Sequence, residues 1–479
     1  MTLKRQAFTA VRWTSFAAVM QSLMQLVQMA VLARLLSPED FGLMALVSVA
    51  IVFCSLFSDM GLSSAFIQRQ DVTPQQRSSL FWLNIAMGTA LTILMIAISP
   101  LAAWYFDDDR LLPLFALTAT TLIINAAGQQ VRIAAEKTLH FRPVVLVDTC
   151  STLLGFAATV LAALAGWGVY SLAFGSVLGA ISGTLLAWLF IANSWRPRFG
   201  FKADDVRPFI GFGGSLVANN IVNQFNASVD LLIGGRMLAA SQLGLYSVPR
   251  NLVLQLQFLV NPVITRVAFP LISQVQTDLP RVKAIYLQTL NMTASTNAPL
   301  YLGAFFFAQE IVDLLLGSNW TGSVDVLRIL AIWGYMRSTG NPVGSLLLGM
   351  GRADLALKWN GAMLFVIPPL LWIGSRHGTQ GIAWTLLVFS FVMFVPGWYF
   401  LVHRLCQAGL LEYARAALAP LAIALSAILP AYLGATWFEG DFVRLTVGIA
   451  LAAPLYLAIS FLANRQWVRA MLELAGKKT

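Results

Sequence analysis

The chain has 479 residues, of which 58 % are apolar and 11 % charged, with a formal net charge of +10. Soluble domains carry about 25 % charged residues, so an ordinary soluble enzyme is excluded: its surface could not be covered. The basic excess comes without a soluble basic fold and gives no ground for nucleic-acid binding.

A hydrocarbon core about 30 Å thick is crossed by about 20 apolar residues as helix. Stretches of that kind predict fourteen spans, in chain order Val11–Leu36, Phe41–Phe66, Leu80–Ala103, Leu112–Ile133, Val144–Ala165, Val169–Asn193, Pro208–Leu238, Leu243–Ser273, Ala284–Ala308, Val324–Gly349, Trp359–Ile373, Gly381–Val402, Ala414–Trp437 and Phe442–Phe461. Barrel strands would alternate over about ten residues, and these runs are continuous, so the fold class is all-α and polytopic. The first stretch is span-length and reads as a retained helix rather than a cleaved signal.

Loop Lys and Arg sit mostly on one side of this scheme, among them Lys4, Arg5, Arg69, Arg77, Arg196, Arg198, Lys202 and Arg207, then Arg281, Lys283, Arg415, Arg465, Arg469, Lys477 and Lys478, while the other side carries little beyond Arg110, Arg376 and Arg444. The opposite loops hold Glu39, Asp40, Asp107, Asp108, Asp109, Glu439 and Asp441. By the positive-inside rule both termini are cytoplasmic, in a bacterial inner membrane, and the net charge is topological. Cys54, Cys150 and Cys406 form no outer-loop pair, so no disulfide framework is expected.

An internal repeat divides the chain. Arg34 to Gly42 and Arg236 to Gly244 share a spacing of eight, each closing one long helix and opening the next. At the same offset Gln21 aligns with Asn223 and Gln28 with Asp230. The expected lobes are residues 1–200 and 201–411, six helices each in pseudo-twofold repeat, with 412–479 adding two helices and a tail. The charged linker Trp195 to Arg207 separates the lobes. Transporters with such parallel repeats bind substrate at the repeat interface.

Polar groups inside the spans mark the candidate site, because a charge at mid-bilayer costs about 2.5–3.5 kcal/mol on translocon scales. Gln21, Gln25 and Gln28 share one face of span 1; Asn219, Asn223, Asn226 and Asp230 share one face of span 7. Span 8 carries Arg250, Asn251, Gln255 and Arg266, and span 10 carries Arg337 and Asn341. Substrate contacts are assigned to Arg250, Arg337, Gln28, Asn223, Asn226, Asp230, Asn251, Gln255 and Asn341. Packing hydrogen bonds are the alternative for any single amide. Arg34, Arg236 and Arg328 lie near helix ends and can snorkel, and Asp59 and Asp148 belong to helix-end networks. Pro249, Pro262, Pro270, Pro299, Pro342, Pro368, Pro369 and Pro396 concentrate bending in the second lobe. Gly211 to Gly214 lacks the Lys-Ser/Thr of a phosphate loop. His140, His377 and His403 have no metal spacing. No metal, cofactor or direct ATP drive is expected.

Three segments carry a resemblance: Leu36-Ser37-Pro38-Glu39-Asp40-Phe41-Gly42, Ser58-Asp59-Met60-Gly61-Leu62-Ser63-Ser64-Ala65, and Gly244-Leu245-Tyr246-Ser247 with Arg250. They resemble polysaccharide flippases of the multidrug/oligosaccharidyl-lipid/polysaccharide exporter superfamily, of the colanic-acid and teichuronic-acid exporter type. The resemblance implies a non-enzymatic flippase for undecaprenyl-diphosphate-linked repeat units. The implied partners are the lipid-linked oligosaccharide, membrane lipids, a polysaccharide polymerase and chain-length machinery. In related lipid II flippases an arginine after a Tyr at the start of span 8 faces the cavity, and Tyr246 and Arg250 match it. Those relatives also have cavity arginines in spans 1 and 2, where Gln28 and Ser55 stand here, which favours another glycan. A cation-coupled multidrug exporter of the same superfamily is the alternative.

Overall fold

The computed structural model describes residues 20–474 apart from 60, 70, 193–194 and 211–213. It divides into two compact units, Met1–Gly244 and Leu245–Thr479. Described residues are helices and short connections, with no strand among them.

The first unit holds α1 (residues 20–35), α2 (Pro38–Asp59), α3 (Leu62–Gln68), α4 (Pro74–Phe106), α5 (Leu111–Lys137), α6 (Phe141–Leu164), α7 (Val169–Phe190), α8 (Ala203–Ile210) and α9 (Gly214–Met237). Local chemistry sets the ends. Thr73 caps α4 in a reciprocal box with Gln76, Pro74 opens its first turn, and Asp107 closes it in the left-handed region. Small residues let helices approach without polar groups. A Cβ on Gly175 of α7 would stand 1.7 Å from Thr159 Oγ1 and 2.7 Å from the Gly155 carbonyl of α6.

The second unit begins within α10 (Ala240–Gln274) and continues with α11 (Leu279–Phe306), α12 (Ala308–Leu315), α13 (Val324–Thr339), α14 (Pro342–Gly349), α15 (Ala353–Ser375), α16 (Gly378–Gly397), α17 (Arg404–Cys406), α18 (Leu410–Ala435), α19 (Asp441–Ala463) and α20 (Arg465–Leu474). Here the helices are interrupted. The axis turns by 77° between α11 and α12, and α13 stops at Gly340 before Pro342 opens α14. A π-helical stretch, Trp398–His403, follows Pro396.

Nine described helices are long and apolar enough to cross a membrane, or ten if the bent α11–α12 pair is one span. Apolar side chains cover their outer faces, with Trp104 75 %, Phe365 77 % and Leu462 74 % exposed. That surface suits lipid and not water, and the protein is a multi-pass membrane protein.

The expected count of fourteen is not confirmed among the described residues, for physical reasons. The first predicted span begins at Val11, and residues 1–19 lie outside those described. The span Phe41–Phe66 is broken: Gly61 takes a φ of +74° and separates α2 from α3. The expected span Pro208–Leu238 includes residues 211–213, which lie outside those described; α8 before them is short and carries Asp204, Asp205 and Arg207. Val324–Gly349 is divided at Gly340. The polar stripe on α9 lowers its hydropathy below that of a simple span. Cys54, Cys150 and Cys406 are all free.

Candidate functional site

The first motif builds a helix corner. Ser37 Oγ accepts from the Asp40 amide, and the Asp40 carboxylate accepts from both the Ser37 amide and hydroxyl, with Pro38 first in α2. These are the reciprocal bonds of a helix N-terminus. Next door, Arg110 donates to Glu39 and to Asp108. The Arg110 hydrogen bond holds the Asp108 carboxyl below the usual carboxylate range.

The two repeat glycines meet at this corner. Each is the fifth residue of its helix, Gly42 in α2 and Gly244 in α10. A Cβ on Gly42 would stand 1.9 Å from the carbonyl oxygen of Ala240, the first residue of α10. A Cβ on Gly244 would stand 1.7 Å from that of Pro38, the first residue of α2. The contact is reciprocal, each glycine lying against the carbonyl of the other helix's first residue. Both positions need glycine because carbonyl backbone fills the space of a side chain.

The predicted polar residues lie in several surroundings. Gln28 is half-buried, and its Nε2 donates to the Thr152 carbonyl at 3.5 Å. With Ser151, Thr159 and Ser176 it lines a cleft of about 310 Å³ inside the first unit. On α9, Asn223 is exposed, Asn226 half-buried and Asp230 buried. On α10, Arg250 is only 6 % exposed and Asn251 is exposed. Gln255 is half-buried, and its Oε1 has no hydrogen-bond partner among the described residues. Arg337 is exposed, its guanidinium 5.5 Å from the Trp333 ring centroid, on a cleft of about 290 Å³ with Trp359, Met393 and Tyr413. Asn341 is exposed at the α13–α14 break. Gln28 and Arg337 therefore open on separate clefts, one within each unit. The side chains of Asp59, Asn219 and Arg266 lie outside the described ones. Ser55 bonds the Val52 carbonyl of its own helix at 2.7 Å.

Sequence reasoning missed two polar groupings. Asn261 of α10 donates to the Ser338 carbonyl of α13 at 2.9 Å and accepts from Asn297 of α11 at 3.0 Å, all three buried. The signal was an isolated Asn shortly before a proline, in Asn261-Pro262 and Asn297-Ala298-Pro299. The second is Arg132, 3.6 Å from Asp148, which makes Asp148 part of a helix-end network.

The family model for polysaccharide biosynthesis proteins matches residues 31–325. The teichuronic acid biosynthesis protein TuaB of Bacillus subtilis is 29 % identical over 462 residues, 95 % of each chain. The lipopolysaccharide biosynthesis protein WzxC of Escherichia coli is 28 % identical over 90 % of this chain and 88 % of its own. The succinoglycan biosynthesis transport protein ExoT of Rhizobium meliloti is 23 % identical over 94 % of this chain and 92 % of its own. Among solved structures, the lipid II flippase MurJ in its inward closed conformation aligns with a TM-score of 0.74 at 13 % identity, over 96 % of this chain and all of that one. An inward-facing multidrug transporter of the MATE family gives 0.62 at 14 % identity, over 80 % of this chain and 97 % of that one. These likenesses fix the fold as the all-helical one of that transporter class. The matched stretch covers more than half of the sequence, and the chain belongs to the family of polysaccharide biosynthesis proteins.

Proposed function

We propose that this protein is a flippase, not an enzyme. It moves undecaprenyl-diphosphate-linked oligosaccharide repeat units from the cytoplasmic to the periplasmic leaflet of a bacterial inner membrane by alternating access. The product serves exopolysaccharide, O-antigen or capsule synthesis, and a polysaccharide polymerase and chain-length machinery would take it up. The observation that carries this reading is the family match, extended by relatives along nearly the whole chain whose names concern teichuronic acid biosynthesis and succinoglycan transport. Both termini are cytoplasmic in this reading, and labelling of a cysteine placed at Lys202 from outside intact cells would overturn that orientation.

The physics of the task agrees. Each unpaired polar group taken into hydrocarbon costs several kcal/mol, so a diphosphate and its sugars need a polar path while the prenyl chain stays in lipid. An inside-negative potential assists outward movement of an anion by about 2.3 kcal/mol per charge per 100 mV. Two charges at 100 mV therefore contribute roughly 4–5 kcal/mol. Arg250 is the assigned diphosphate contact: its planar guanidinium pairs bidentately with phosphate oxygens and keeps its charge when buried. Arg337 is the second cation, and Gln28, Asn223, Asn226, Asp230, Asn251, Gln255 and Asn341 supply polar contacts to the head group.

Glycan export in a strain lacking the protein tests this. Arg250→Ala should abolish complementation, Arg250→Lys should keep part of it, and Asp230→Ala should be tolerated. Normal export by a well-expressed Arg250→Ala variant overturns the assignment. A double variant that recovers what either single change loses would assign both charges to the fold instead.

A further inference from the structure

The second unit contains a cleft of about 720 Å³ between α11, α18 and the α19–α20 corner. Its inner wall is small and apolar, with Ala416, Ala419, Pro420 and Ile423 of α18. Its rim is polar, with Arg415, Gln288, Asn291, Asn464 and Gln466. The rim lies at a membrane surface, because α11 and α18 begin and α19 ends beside it.

The charges of the rim do not balance. Lys283 Nζ donates to both oxygens of Glu412 at 3.0 Å, and Glu412 also accepts the Gly409 amide at 2.8 Å. That carboxylate is fully engaged. Arg415, one turn along the same helix, makes no ion pair or hydrogen bond among the described residues, and neither do the Gln288 and Gln466 amides. Asn291 uses its oxygen to accept from Asn464 at 3.0 Å, which leaves its Nδ2 as a donor. Among the described residues, one uncompensated cation and several donors thus border an apolar trough. From Glu412 to Ile423 the trough follows α18 for about 16 Å at 1.5 Å per residue. That is about one leaflet of a 30 Å hydrocarbon core.

A second cleft of the same volume, about 720 Å³, lies between α15 and α16 and sharpens the point. It is walled by Val366, Leu370, Trp384 and Val388, and its polar lining includes His377 and Gln380 but no Lys, Arg, Asp or Glu. Such a groove accepts any acyl chain. Of these two, the α11–α18–α19 cleft alone adds a cationic rim at the head-group level, and basic pockets between membrane helices are sites for anionic lipid heads.

We propose that this cleft binds one anionic glycerophospholipid. Its phosphodiester lies against Arg415 and the amide rim, and one acyl chain lies along the alanine wall. A single unpaired cation matches a phosphodiester's single charge. The bound lipid fastens the last two long helices to α11 beside the α20 anchor, where Trp467 Nε1 donates to Thr296 Oγ1 at 3.2 Å and Asn464 Nδ2 to Ser295 Oγ at 2.8 Å.

Native mass spectrometry of the delipidated full-length protein tests this, with phosphatidylglycerol and phosphatidylcholine of identical chains as probes. The wild type should bind phosphatidylglycerol about five-fold more tightly, as one basic residue beside an anionic head provides. Arg415→Gln should erase that preference, and Ala419→Leu should lower occupancy by both lipids. Gln288→Leu, on another helix, should weaken phosphatidylglycerol binding if Arg415→Gln does not fold. Both Arg415→Gln and Gln288→Leu should export glycan normally, which separates this proposal from the flippase assignment. Equal binding of the two lipids by the wild type overturns the proposal, as does an unchanged preference in Arg415→Gln. Displacement of phosphatidylglycerol by undecaprenyl diphosphate, with loss of export in Arg415→Gln, also overturns it and makes the cleft a substrate site.

Discussion

Helices α6 and α7 of the first unit meet over Gly155, Gly175 and Gly179, whereas α10, α11 and α13 of the second meet over Asn261, Asn297 and Ser338. Glycine contacts place backbone on backbone and allow one separation only. Amide contacts hold the helices through a few hydrogen bonds that other partners can replace. Among the described residues the first unit is interrupted at Gly61, while the 77° turn after α11, the gap at Gly340 and the π-helical stretch Trp398–His403 lie in the second. Close glycine contacts occur in the second unit too, at Gly374 and Gly381, so the difference teaches that the two units differ in how often their helices are interrupted rather than in whether backbones touch.

The largest effect should come from filling a glycine contact in the first unit. Gly175→Leu would drive a side chain into Thr159 and the Gly155 carbonyl. Overpacking of this kind costs about 1–3 kcal/mol or more. Detergent-extracted variant should lose its monodisperse peak in size-exclusion chromatography. Gly303→Ala in α11 of the second unit is the control, because nothing lies within 4 Å of its Cβ. Its stability should change by less than about 1 kcal/mol. Equal tolerance at both positions would break the comparison.

Asn297→Leu should have the next effect. It removes a donor from Asn261, and membrane hydrogen bonds are worth about 0.6 kcal/mol on average and about 1.7 at most. A double-mutant cycle with Asn261→Leu should give coupling of that size; additive effects would show that the network does not hold the helices. Pro396→Ala should act on rate more than on stability. It restores a backbone donor before the π-helical stretch. The melting temperature should hold or rise while transport slows several-fold, and unchanged transport would remove this bend from the moving parts.

The smallest effect belongs to the Arg110 cluster. Arg110→Ala should cost at most about 1 kcal/mol, because Arg110 and its partner Glu39 are exposed. Its pH dependence carries a sign. The Asp108 carboxyl is lowered in the folded protein by its Arg110 hydrogen bond. Its contribution is therefore complete above the unfolded carboxylate value and fades as pH falls through the folded one. Wild type and variant should differ most near neutral pH and converge below about pH 4.

The long apolar helices were legible because run length alone reports them: α4, α5 and α19 contain their expected spans, and α6, α7 and α18 end one to three residues before theirs do. The matched spacing of Gly42 and Gly244 was legible, and the reciprocal backbone contact explains why glycine stands at both places. Breaks were not read from span length, although polar residues flank both: Gly61 follows Ser58-Asp59-Met60, and Gly340 stands in Arg337-Ser338-Thr339-Gly340-Asn341-Pro342. The candidate site was legible as polar residues but not as surroundings. Gln28 and Arg337 share the property of being polar in an apolar run, yet each opens on a different cleft. The Asn261–Asn297–Ser338 network was hidden because pairing across helices depends on rotation about each axis, which single-helix spacing does not report.

Transbilayer movement in proteoliposomes tests the flippase assignment most directly. Vesicles carry a fluorescent undecaprenyl-diphosphate oligosaccharide in both leaflets, and a membrane-impermeant quencher is added outside. With wild-type protein the quenchable fraction should rise from about half towards completion on a scale of minutes, while vesicles with Arg250→Ala stay at the protein-free level. Wild-type vesicles that never exceed the protein-free level, with correctly folded protein inserted, would contradict the account.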